Sequence, residues 1–170
     1  MDDISVEAAV LDIENIELPT LCRFYQYWRE RCQGRFAPAR ADIDPTDLTY
    51  ILPRLLMFDV LEEGADFRVR LAGSGTFNLH GRDITGMRLS EFRPPAFRDA
   101  VMASYRQIVQ ERRPLYLRNA YWQYGVEINA YHVLRLPLSA DGEHVNIILV
   151  GEDYRGGEAE LVKIMTEDKS

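Results

Sequence analysis

The run that narrows the fold most is Arg68 to Leu89, RVRLAGSGTFNLHGRDITGMRL. With Phe67 ahead of it, the run opens as a strand in which Phe67, Val69 and Leu71 take one face and Arg68 and Arg70 the other. Gly73 and Gly75 then interrupt the chain, and a short helical piece follows around Thr76 to Leu79. The next loop, Gly81-Arg82-Asp83-Ile84-Thr85-Gly86, has glycines that allow positive φ or close backbone approach. A strand feeding a short helix, a glycine-bracketed loop and another helix does not suit a sandwich or a bundle. It suits a sheet that cups a small helical wall on one side.

The flanking sequence supplies the rest of that sheet. From Pro19, the residues Leu21, Phe24, Tyr25, Trp28 and Cys32 follow the i, i+3, i+4, i+7, i+11 spacing of one apolar helical stripe, which Gly34 ends. Such a stripe covers the back of a sheet. Because aromatics are enriched at interfaces, Leu21, Phe24, Tyr25 and Trp28 are also the candidate face of a homodimer. Asp44-Pro45 reads as an N-cap with proline at N1, opening a short helix over Thr46 to Leu52 that Pro53 ends. Arg54 to Glu62 is apolar on both parities, as in a strand covered on both faces, and Phe67 to Leu71 returns antiparallel to it. A helical stripe of Phe97, Val101, Met102, Tyr105, Ile108 and Val109 runs from Pro94-Pro95 to before Pro114. Three strands follow: Leu115 to Trp122, Val126 to Leu138, and Val145 to Val150 after the Ala140-Asp141-Gly142 turn. In the second of these, Val126, Ile128, Ala130, His132, Leu134, Leu136 and Leu138 share one face, against Glu127, Asn129, Tyr131 and Arg135. The expected architecture is α+β, a five-stranded antiparallel sheet with short helices on one face and an N-terminal helix. One domain spans 19–155, between tails at 1–18 and 156–170.

A chain of 170 residues with 46% hydrophobic and 28% charged positions buries a core without staples. Its formal charge of −7 speaks against phosphate-driven nucleic-acid binding. The two cysteines, Cys22 and Cys32, stand ten positions apart on one helix, about 15 Å along its axis, which excludes a disulfide between them. The acidic N-terminal stretch has no basic region ahead of an apolar core, and no apolar run approaches the length of a membrane span. The expected place is the cytoplasm, away from membranes.

Four segments in this order resemble small bacterial PAS-type domain proteins of the kind common in alphaproteobacteria. They are Ala39-Arg40-Ala41-Asp42-Ile43-Asp44-Pro45, Arg70-Leu71-Ala72-Gly73, Gly81-Arg82-Asp83-Ile84-Thr85-Gly86 and Leu134-Arg135-Leu136-Pro137-Leu138-Ser139 with Asp141-Gly142. On that resemblance Arg40, Asp42, Asp44 and Pro45 look like the opening motif of the family, and Gly73 with Gly81, Arg82, Asp83, Thr85 and Gly86 its central signature. The resemblance implies a PAS fold with a pocket under short helices, and a sensory or regulatory role in place of catalysis. Haem-binding relatives use a histidine from the helical wall, where this chain has His80. Flavin photoreceptor relatives carry a cysteine beside an asparagine there, and this chain has none.

The candidate pocket comprises Phe77, His80, Met87, Tyr105, Trp122, Tyr131 and His132. Two readings stand side by side: these side chains line a ligand cavity, or they fill the core themselves. Tyr131 is the least secure member, because alternation sets it opposite His132. No catalytic or metal-binding spacing is present. Gly73-Ser74-Gly75 matches neither the five-residue nucleophile elbow nor a phosphate loop. The expectation is therefore a non-enzymatic regulator that works through a protein partner, with a small-molecule ligand and the cofactor left open. Two rivals are a haem sensor using His80 and a small cone-shaped α+β enzyme that uses Asp83, Asp59 or His132 for acid–base chemistry.

Overall fold

A computed structural model describes residues 4–155 and 157–166, except for the side chains of residues 77–79 and 158. The sheet has six antiparallel strands, one more than expected: β1 (Ile4–Val10), β2 (Leu55–Leu61), β3 (Asp66–Ala72), β4 (Leu115–Gln123), β5 (Val126–Leu138) and β6 (Ile147–Asp153). Their order is β1-β4-β5-β6-β2-β3. The extra strand comes from residues expected to form a tail. Ile4 and Val6 alternate with Ser5 and Glu7, so β1 offers an apolar parity to the core and pairs along β4 from Ile4–Gln123 to Val10–Leu117.

Helices cover both faces of the sheet. On one face lies α1 (Pro19–Cys32), whose Leu21, Phe24, Tyr25 and Trp28 are 0–8% exposed. They pack with Leu134, Leu136, Leu138, Ile147 and Leu149, and the Trp28 indole N–H donates to the Pro137 carbonyl at 2.9 Å. The stripe is therefore core within a single chain, and no self-association surface is left on it. On the other face lie α2 (Ser74–His80), α3 (Pro95–Glu111) and α4 (Glu158–Thr166). The double cover accounts for runs such as Ile147 to Val150, apolar on both parities: Ile147 and Leu149 face α1, while Ile148 and Val150 face the helices opposite.

The family-like motifs build loops. Asp44 caps a 3-10 turn, Pro45–Leu48, by accepting from the Thr46 amide at 2.9 Å. The helix expected over Thr46 to Leu52 is shorter than the sequence suggested, and Pro53 sits inside a second such turn, Leu52–Arg54. Asp42 accepts from the Ala39 amide at 2.9 Å and pairs with Arg35 at 3.0 Å, and Arg40 donates to the Ile43 carbonyl at 3.0 Å. Asp83 accepts from the Thr85 amide at 2.9 Å, while Gly81 and Gly86 adopt φ of +66° and +87°. Gly73-Ser74-Gly75 is a backbone crossing. A Cβ on Gly73 would stand 2.2 Å from the Leu52 carbonyl oxygen, and one on Gly75 2.7 Å from that of Pro53.

Gly151 in β6 plays a similar part under α1, where a Cβ would meet the Phe24 ring at 2.7 Å and Ile51 at 2.8 Å. Gly151→Ala is expected to destabilise the protein by about 1–3 kcal/mol through overpacking. Phe24→Leu in the same chain should recover part of that loss. Equilibrium urea unfolding of the two single variants and the double variant reads the coupling, and strictly additive costs would show that Phe24 does not press on this site.

Candidate functional site

The site is the space between the sheet and the three helices opposite α1. Its floor comes from the strand parity that faces away from α1: Leu56 and Phe58 of β2, Tyr131 and Arg135 of β5, and Glu152 of β6. Its walls and roof are Thr76 and His80 of α2, Leu89 and Phe92 of the following loop, and Phe97, Val101 and Tyr105 of α3, with Met165 of α4 closing the end. Aromatic rings take up most of this volume. Phe58 and Phe67 stand edge-on to Tyr105 at 5.0 and 5.2 Å, and Phe92 stacks on Phe97 at 6.4 Å. The remaining cavity is about 20 Å³, room for one water molecule. A second recess of about 60 Å³ opens outside it, lined by Arg82, Ile84, Met87 and Arg93. His80, Phe92 and Met165 border both spaces and form the partition between them.

The chamber floor is polar to an unusual degree for a buried face. Arg135 is 2% exposed; its Nη1 donates to the Ser104 hydroxyl, and its guanidinium lies 5.1 Å from the centre of the Tyr105 ring. Its Nε has no hydrogen-bond partner. Tyr154 donates from its hydroxyl to Glu152, and the Asn119 amide donates to the Tyr131 hydroxyl at 3.1 Å. Tyr121, stacked on Tyr131 at 6.1 Å, leaves its hydroxyl without a partner, as does the Asn119 carbonyl oxygen. Burial raises the pKa of all four tyrosines, Tyr131 to about 12. Burial also raises that of Glu152, against the opposing effects of the Tyr154 hydrogen bond and the Arg135 charge.

The structure divides the expected pocket residues. Tyr105, Tyr131 and His80 border the chamber, and Met87 lines the outer recess. Trp122 sits opposite Ser5 of β1, away from the chamber lining. The side chain of Phe77 lies outside the described residues. His132 is on the other face of β5, 6.0 Å from the Tyr116 ring, beside a shallow cleft with Asp12, Glu17 and Arg155. Burial, with Arg155 and Arg118 nearby, lowers its pKa. The residues named for acid–base chemistry do not converge: Asp59 pairs with Arg70 at 3.0 Å, Asp83 caps its own exposed loop, and His132 lies across the sheet from the chamber. Haem does not fit a 20 Å³ cavity. Cys22 and Cys32 are both on α1, so neither brings sulfur to the chamber.

Sequence reasoning missed Arg135, Glu152, Tyr121 and Asn119. The clue was available in Ile147 to Val150, whose continuous apolar run implies cover on both faces. Residues on the supposedly outer parity of β5 therefore also face a protein interior.

A six-stranded antiparallel sheet with a short-helix wall across one face, enclosing an aromatic chamber, is the architecture of the PAS class of domains. The chain matches the family described as the PAS domain over residues 16–151, and it belongs to that family. Among solved structures it is similar to an RNA-binding light-oxygen-voltage receptor, at 12% identity and a TM-score of 0.47, over 98% of this chain and 43% of that one. A fungal LOV-domain photoreceptor gives 21% identity and a TM-score of 0.39, over 59% of this chain and 72% of that one. No curated protein matches the chain.

The raised pKa of Glu152 carries a signed consequence. Its contribution to stability is present below the unfolded-state value near 4.5 and is lost as pH rises through the higher folded-state value. Urea unfolding between pH 4 and 8 should show Glu152→Gln gaining stability over the natural protein as pH rises. A pH-independent difference would mean that the carboxyl is not held in a desolvated site.

Proposed function

We propose that the protein is a non-enzymatic sensory module of the small bacterial PAS type, working in the cytoplasm. A change in the chamber loosens α4, and a regulatory protein partner reads the result. The observation that carries this reading is the position of α4. It is the last described element, follows directly from β6 through Tyr154 and Gly157, and buries Leu161, Ile164 and Met165 against the same cluster that forms the chamber. Little else holds it among the described residues: the Gly157 carbonyl accepts from Asn129 at 3.0 Å, and the remaining anchorage is apolar. A short helix fastened by four apolar side chains, with Val162 only partly buried, is a unit that opens locally at a fraction of the cost of global unfolding. A small molecule that needs the volume of Met165 has a direct hold on it.

The test is amide hydrogen exchange on the whole chain. Exchange in Leu161–Thr166 should run well ahead of exchange in β5 and β6. Leu161→Ala should speed it by a further tenfold or more, through lost apolar contact, with the sheet amides unchanged. Exchange of α4 only at the global unfolding rate would sink the reading, because α4 would then be an integral part of the core.

A further inference from the structure

Arg135 makes no direct ion pair among the described residues. Among the described residues no carboxylate comes within ion-pair distance of it, and its only hydrogen bond goes to the neutral Ser104 hydroxyl. Glu152 borders the same cavity and feels the Arg135 charge at a distance, but its carboxyl takes its hydrogen bond from the Tyr154 hydroxyl and makes none with the guanidinium. Burying a guanidinium costs several kcal/mol unless a charge and hydrogen bonds compensate. The face of Tyr105 supplies part of that compensation, and the Nε donor remains unused. Around this cation the chamber presents flat aromatic walls, Phe58, Phe92, Phe97 and Tyr131. An unsatisfied buried cation inside an aromatic box is complementary to one chemical class.

We propose that the chamber binds a small aromatic carboxylate, with its carboxylate on Arg135 and its ring taking the place that the Met165 side chain now fills. Met165 is the movable part of the partition, since it is an unbranched side chain on the last described helix. Its withdrawal joins the chamber to the outer recess bordered by His80 and Phe92. Planar bidentate geometry suits guanidinium and carboxylate to each other, and the ligand charge supplies what the protein lacks there. The inference rests on the sensory reading above and names the ligand class for its chamber.

Benzoate and its neutral analogue benzamide are the probes, titrated calorimetrically into the full chain. Benzoate should bind and benzamide should bind at least tenfold more weakly, as expected for loss of a charge-assisted contact. Met165→Ala should tighten benzoate about tenfold by vacating its place. Arg135→Met, which replaces an uncompensated buried charge with an apolar side chain of similar length and so is compatible with folding, should abolish the preference for benzoate over benzamide. Equal binding of the two probes to the natural chain would overturn the carboxylate assignment and leave a ligand-binding chamber standing. No binding of either probe, even to Met165→Ala, would overturn the ligand class altogether. The sensory reading would then be judged separately by the exchange behaviour of α4.

Discussion

Everything in this fold follows from a sheet covered on both faces. Once α1 lies across one side and α2, α3 and α4 across the other, the stretches Val133 to Leu138 of β5 and Ile147 to Gly151 of β6 have no parity left for solvent. A side chain on those stretches must then be apolar or find a partner inside the protein. Leu134, Leu136 and Leu138 meet the first condition under α1. Arg135 falls under the second, with Tyr131 and Glu152 beside it, and the arrangement of the chamber is the record of how far it is met. Asp66 shows the same pressure at an edge. Nearly buried, it accepts from the Phe67 amide at 2.8 Å and from the Ser90 hydroxyl at 2.6 Å, which ties the loop after α2 to β3.

The two sides of the sheet answer that pressure differently. Under α1 the packing is aliphatic and aromatic; Trp28 is satisfied by the Pro137 carbonyl, while the Tyr50 hydroxyl and His132 Nδ1 have no hydrogen-bond partner. Under α3 and α4 the hydroxyl of Tyr121, the carbonyl oxygen of Asn119 and the Nε of Arg135 have no partners. Orphaned polar atoms therefore occur on both faces, and the chamber side differs in that one of them belongs to a buried guanidinium.

Much of this was legible in the residues. The helix from Pro19, the cap at Asp44, the alternation of β5 and the strand–helix–loop order after Phe67 each express a local rule that tertiary packing did not override. The misses share one cause, a count of faces. Reading β5 as one apolar and one polar parity put His132 in the pocket and gave Arg135 no place there, whereas the structure sets Arg135 on the chamber and His132 on the opposite face. The same miscount left Leu21, Phe24, Tyr25 and Trp28 available for a partner, although the sheet consumes all four. β1 was missed for a different reason. Ser5, Glu7, Ala8 and Ala9 bury little, and such an edge strand is held mainly by backbone hydrogen bonds to β4, which side-chain patterns do not announce.

The near-full chamber also decides how a signal would leave it. In a roomy pocket a ligand can bind without moving anything, and an equal affinity for two conformations shifts neither. Here the free volume is about 20 Å³, so occupancy and the present seat of Met165 exclude each other. That exclusion is a coupling free energy between ligand and α4, and it is reciprocal: whatever holds α4 down weakens the ligand, and a partner that captures α4 strengthens it. On the proposed reading, a tightly packed interior, which at first argues against a binding site, would be the feature that makes binding audible at the surface.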